Sequence, residues 1–220
     1  MDNLDFELLK KFYRENRDDF DDEFSIRIHR ALSWIERAEK EKNDNDASFI
    51  FYWIAFNAAY SEKINPSKFK NQRGSFSDYF QLLIDCDNDK IIYDTIWKQF
   101  PNSIRILLEN QYIYEPYWGF VNGDDNQNDW EKKFDLSKTL ILKSLSRKDT
   151  SKILLILFDR LYTLRNQILH GAATWNSNIN RSQINDGSNI LSSLVPQFIF
   201  IMMKNHNKNW GSLAYPIHKD

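Results

Sequence analysis

In the segment LRNQILHG, residues 164–171, three side chains capable of chemistry fall close together: Arg165, Asn166 and His170. A guanidinium is a permanent planar cation whose forked donors suit phosphate oxygens. Imidazole is the side chain best placed to move a proton near neutral pH. An amide can orient either group or donate to a ligand oxygen. The chemistry these three could do together is proton transfer beside a phosphate.

The element that must position them is the apolar run before the cluster, TSKILLILFDRLYT. It predicts a helix from Asp149 or Thr150 to about 170, with Gly171 just past the last turn. At steps of about 100° per residue, Ile153, Leu157, Leu161, Leu164 and Ile168 form a core-facing stripe. Lys152, Asp159, Thr163, Asn166 and His170 gather on nearly the opposite side. Solvent exposure is the plain expectation for Lys152, Asp159 and Thr163, although Leu155, Ile156 and Tyr162 flank them with apolar surface. Arg165 and His170 stand about 140° apart around the axis. Arg165 must therefore reach around the helix or meet a second copy of the segment across a two-fold axis.

The chain around this helix has 220 residues, with 6 Gly and 5 Pro, about half the usual share of turn formers. Scarce turn residues and few alternating apolar runs point to long helices. Helices are expected at about 3–17, 22–42, 47–63 (capped by Asp46), 76–86 (capped by Ser75), around 89–100, from Pro101, 130–146, 149–170 and 187–205. Pro196 is expected to kink the last of these. The third is apolar most of the way round and should be central. YIYEPYWGF reads as an aromatic connector. No linker or internal repeat divides the chain, so one domain over 1–220 is expected. Its core helices would lie at about 22–63 and 149–205, with helical elaboration over 64–148.

The formal charge of −2 gives no global positive field, so any nucleic-acid binding must rest on a local patch. Cys86 is the only cysteine, which excludes an internal disulfide and a cysteine-based zinc site. No His/Asp/Glu grouping has familiar metal-ligand spacing. The opening MDNLDFELLKK lacks the pattern of a secretory signal, and FIFYWIAFNAAY is too short to span a bilayer. A cytoplasmic protein with no membrane partner and no cofactor is the expectation.

The motif and its surroundings resemble the HEPN family, named for higher eukaryote and prokaryote nucleotide-binding domains. The family's mark is Arg, four to six residues, then His, often with a polar residue after the Arg, and RNQILH fits it. RIHRALSWIERAE, FYWIAFNAAYS and RLYTLRNQILHGAATWNSNINRSQINDGSNILSSLVPQFI are similar to a bacterial branch near the Apea-like group. They cover about a third of the chain. The resemblance implies an all-α antiparallel bundle that dimerises. It further implies a metal-independent endoribonuclease of a toxin–antitoxin or anti-phage system, with RNA as substrate and an antitoxin or defence partner. His170 would move the proton, Arg165 would stabilise phosphate charge, and Asn166 would position one or the other. Some family toxins carry a tyrosine two residues after the His. Ala172 stands there, which puts that route of regulation in doubt. A non-catalytic nucleotide- or RNA-binding module, or a helical interaction protein, is the alternative.

Other residues divide between substrate contact and ordinary structure. Trp175, Asn176 and Arg181 lie in the polar stretch after the motif and are expected to border the cleft. Lys68, Lys70 and Arg73 could guide an RNA backbone, as could the basic residues from Lys138 to Lys152, or they could simply be solvated. His29 reads as a packing histidine. Arg27 and Arg30 could line the cleft but read first as helix-surface ion pairs. Asn57, inside an apolar helix, needs a buried hydrogen bond or a site contact.

Overall fold

The computed structural model describes residues 4–61, 72–172, 174–178 and 180–215, without the side chains of 72–75. The fold is all-α, with no strand among the described residues. The helices are α1 (Phe6–Asn16), α2 (Asp22–Glu39), α3 (Asn45–Tyr60), α4 (Gln72–Cys86), α5 (Ile91–Asp94), α6 (Pro101–Leu108), α7 (Glu115–Val121), α8 (Trp130–Ser146), α9 (Thr150–Leu169) and α10 (Arg181–Lys204). A π-helical stretch, Thr95–Gln99, continues α5. No described helix is long and apolar enough to cross a membrane.

Aspartates start four of these helices. The side chains of Asp5, Asp21, Asp44 and Asp149 accept the backbone N–H groups of Leu8, Phe24, Ala47 and Lys152. Each satisfies one of the amides that a helix start leaves without an intrahelical acceptor. Asp44, rather than the expected Asp46, caps α3, and this frees Asp46 for another partner. Pro101 opens α6, where its missing N–H costs nothing. α4 begins at Gln72, before the expected cap Ser75.

The helix that is apolar all round is the central one. α3 packs against α2 on one side and α10 on another, while α9 packs against α4. Phe56 of α3 lies within 4.5 Å of the Phe158 ring and 4.7 Å of the Tyr60 ring, centroid to centroid. Phe76 and Phe80 of α4 and Phe198 of α10 complete the cluster. Burying one such ring contributes about 1.5–3 kcal/mol. α4 thus belongs to the same core as α3, α9 and α10.

Two arginines are sealed inside. Arg27, expected at the surface, is buried, and its guanidinium donates to the carbonyls of Ala59, Ser61 and Gly211 at 2.7–2.8 Å. It closes the C-terminal end of α3 and ties the chain's last segment to α2. Arg30, at the surface, donates to the Tyr215 carbonyl rather than to a carboxylate. Arg160 of α9 is buried against the Tyr114 ring, 4.3 Å from its centroid, and donates to Ser137 Oγ. The aromatic connector is therefore partly core: Tyr114 holds a buried cation, and Trp118 donates to the Tyr112 carbonyl. His29, expected to pack, is exposed, and Asn57 is half-buried.

Candidate functional site

α9 carries the motif to its own end. His170 is the C-cap, and Gly171 follows at φ +69°, a left-handed conformation that glycine adopts without a Cβ clash. The Gly171 amide donates to the Ile168 carbonyl and the Ala172 amide to the Gln167 carbonyl. These two bonds form a Schellman ending, which closes the helix and turns the chain sharply after His170. His170 is exposed, and its ring has no hydrogen-bonding or ionic partner among the described residues.

Arg165 Nη1 donates to Asn166 Oδ1 at 2.9 Å, which holds the guanidinium against the Asn166 amide. Asn166 stands one turn before His170, about 40° from it around the axis. A single chain therefore brings the cation and the amide together one turn before the imidazole. Arg165 is half-buried, its Cζ is 6.0 Å from the Tyr162 ring centroid, and its Nε is sealed from water without an acceptor. It pairs with no carboxylate among the described residues. On the same side, Thr163, expected in solvent, is buried and donates to the Asp159 carbonyl, while Lys152 and Asp159 are half-buried.

The segment after the motif folds elsewhere. Trp175 is 73% exposed, yet its indole N–H donates to Asp44 Oδ2 at 2.8 Å, which pins the loop to the start of α3. Asn176 is exposed, with φ +53°. α10 starts at Arg181, six residues earlier than expected, so part of the supposed loop is helix. Arg181 Nη1 donates to Asp46 Oδ2 at 2.8 Å and its Nε to the Ser177 carbonyl at 3.0 Å. Gln167, a motif residue that sequence reasoning passed over, bridges two segments. Its amide donates to the Tyr112 carbonyl and accepts from Asn180 Nδ2.

Trp175, Arg181 and Asp46 line a pocket of about 130 Å³ together with Leu164 and Ile168 of α9 and Ile184 of α10. Leu164 and Ile168 lie more than about 100° round α9 from Asn166 and His170. Motif and pocket therefore flank opposite sides of one helix end. Lys68 and Lys70 lie outside the described residues, as does the side chain of Arg73. Among the described residues, no three His, Cys, Asp or Glu side chains group closely enough to hold a metal ion.

No family model, no curated protein and no solved structure matches the chain.

Proposed function

We propose that the protein is a HEPN-type, metal-independent endoribonuclease whose working site forms where two copies of the α9 end meet in a homodimer. A role in a toxin–antitoxin or anti-phage system, restrained by a partner, belongs to the same reading. The observation that carries it is the guanidinium of Arg165, hydrogen-bonded to Asn166 one turn before His170, with one nitrogen buried and no carboxylate partner among the described residues. Such a group is suited to the charge that develops on a phosphate in a transition state.

In this reaction the ribose 2′-oxygen attacks the adjacent phosphorus, and the bond from phosphorus to the leaving 5′-oxygen breaks. The products are a 2′,3′-cyclic phosphate and a free 5′-hydroxyl. Imidazole at His170 takes the 2′-hydroxyl proton or supplies one to the departing oxygen. A second His170, from the other protomer, allows both transfers in one site. Arg165 holds the non-bridging oxygens, and Asn166 fixes the guanidinium's direction.

The test is digestion of mixed RNA in EDTA by the native chain and by His170→Ala and Arg165→Ala variants. Cleavage by the native chain alone, leaving cyclic-phosphate ends, is the expected result. Equal cleavage by all three preparations would refute catalysis by this motif. Sedimentation at the mass of one chain at every concentration would refute the shared site.

A further inference from the structure

From the pocket between α3, α9 and α10 we infer a binding site for a single nucleobase, set to one side of the motif. The choice of a nucleobase over other planar rings rests on the RNA reading above. The pocket itself argues for a neutral, flat, polar-edged ligand. Its walls are the apolar side chains of Leu164, Ile168 and Ile184, with Trp175 beside them. The Trp175 ring is 73% exposed although its indole nitrogen is anchored to Asp44. A ring held at its edge with its faces open is a stacking platform, and stacking is available to every base.

The polar groups narrow the ligand further. Arg181 and Asp46 neutralise each other through their 2.8 Å contact, so the pocket carries no net charge to attract phosphate. Their remaining atoms are unlike. Arg181 Nη2 is a buried donor without an acceptor among the described residues, and Asp46, which also lines the pocket, has a second carboxylate oxygen besides the one that meets Arg181. A donor and an acceptor joined by a salt bridge complement the ring-nitrogen and amino or carbonyl edge of a base. At about 30 Å³ per water, the pocket has room for roughly four waters. That is the scale of one ring and not of a nucleotide with its sugar and phosphate. A strand with one base here and a phosphate at Arg165 would cross about the width of the α9 end, ~10–12 Å. The pocket would then read a base neighbouring the cut.

The test titrates the full chain carrying His170→Ala with adenosine, guanosine, cytidine and uridine. The readout is the Trp175 indole N–H resonance, assigned with Trp175→Phe. At least one nucleoside should shift that resonance and saturate, and Arg181→Lys should weaken its binding at least about tenfold. Because Arg181→Lys could loosen the fold, Thr174→Phe serves as a second variant. Thr174 is exposed at the pocket, and a phenyl ring there should block entry without touching the core. No shift with any of the four, or an equal shift with ribose 5-phosphate, would overturn the site. Nucleosides contain no phosphodiester, so binding without cleavage leaves the pocket standing when the nuclease fails. Cleavage without nucleoside binding does the reverse.

Discussion

Replacing Gly187 by alanine sets two known effects against each other inside α10. Gly187 is in a helix interior, where alanine is favoured over glycine by about 1 kcal/mol. On that ground alone the variant would be more stable. The structure predicts the opposite sign. A Cβ at 187 would stand 2.8 Å from Phe49 Cε2, 3.1 Å from Leu161 Cδ2 and 3.2 Å from Phe49 Cδ2. Neither neighbour has room to give way: both are fully buried, and Phe49 is stacked on Trp53. Overpacking of this kind costs about 1–3 kcal/mol, so the net change is a loss of about 1 kcal/mol. For a chain of this length that lowers Tm by about 2–4 °C. Thermal and urea melts followed by circular dichroism would measure it. Gly187→Val adds bulk and gives back little propensity, so it should lose more. Phe49→Leu removes the ring edge from the contact, and the double variant should be less destabilised than the sum of the two singles, with a coupling of about 0.5–3 kcal/mol. A Gly187→Ala variant with an unchanged or higher Tm, or a pair that adds without coupling, would refute the close approach of α10 to α3 and α9.

Arg165→Met and Arg27→Met, compared by urea melts, should move in opposite directions. The first removes a buried nitrogen that has no acceptor among the described residues and should leave stability unchanged or raised by about 1 kcal/mol, with RNA cleavage lost. The second strands three carbonyls that the guanidinium satisfies and should cost about 3 kcal/mol or more. Glu39→Gln tests a pH dependence: burial, more than any neighbouring charge, raises the Glu39 carboxyl above its ordinary value of 4.5, while its Oε1 accepts the Phe6 amide at 2.7 Å. A raised carboxyl contributes stability that is fully present below about 4.5 and is lost as pH rises through its folded value. Glutamine keeps the acceptor without the charge, so the variant's stability relative to the native chain should improve between pH 4 and 7. A difference that does not vary with pH over that range would refute it.

The helices that sequence periodicity located best are those with local signals at both ends. α9 has Asp149 before it and Gly171 after it, and its observed span of Thr150–Leu169 follows from those two residues. α2 was legible at its start for the same reason, Asp21 being its cap. The start of α10 was not, because RSQINDG is polar and ends in glycine, which argues locally for a loop. The low propensity of Gly187 is the counterpart of a close contact with Phe49 that no local pattern reveals. The same holds at the site. That Arg165 and Asn166 stand together one turn before a terminal His170 was readable from their spacing. That Asp46 would neutralise Arg181, across 135 positions of chain, was not. Nor could the pattern distinguish Arg27, which reads as a surface residue in an acidic and basic helix yet satisfies three carbonyls inside.

That contrast among arginines bears on function more than the spacing does. Arg27 and Arg160 are buried with carbonyl, hydroxyl and aromatic partners around their guanidinium groups, and Arg181 has a carboxylate. These are the ways a folded chain makes an enclosed cation tolerable. Among the described residues Arg165 has a single amide oxygen, a tyrosine ring at the edge of reach and no carboxylate, and its Nε, like Nη2 of Arg181, is buried without an acceptor. A helix end that needed only a soluble surface would let this side chain extend into water, where its charge costs nothing. Holding it half-buried, hydrogen-bonded to Asn166 and without an anion among the described residues, leaves an electrostatic demand that those residues do not meet. Under the proposed function a phosphate oxygen on the His170 side would meet that demand, and a carboxylate already in place would have removed it. The same reasoning separates the motif from the neighbouring pocket. There the Arg181–Asp46 pair has cancelled its charge, so what enters must be recognised by shape and edge rather than by sign. One charged and one neutral station on opposite sides of the same helix end are what reading a base beside a cut phosphate would require.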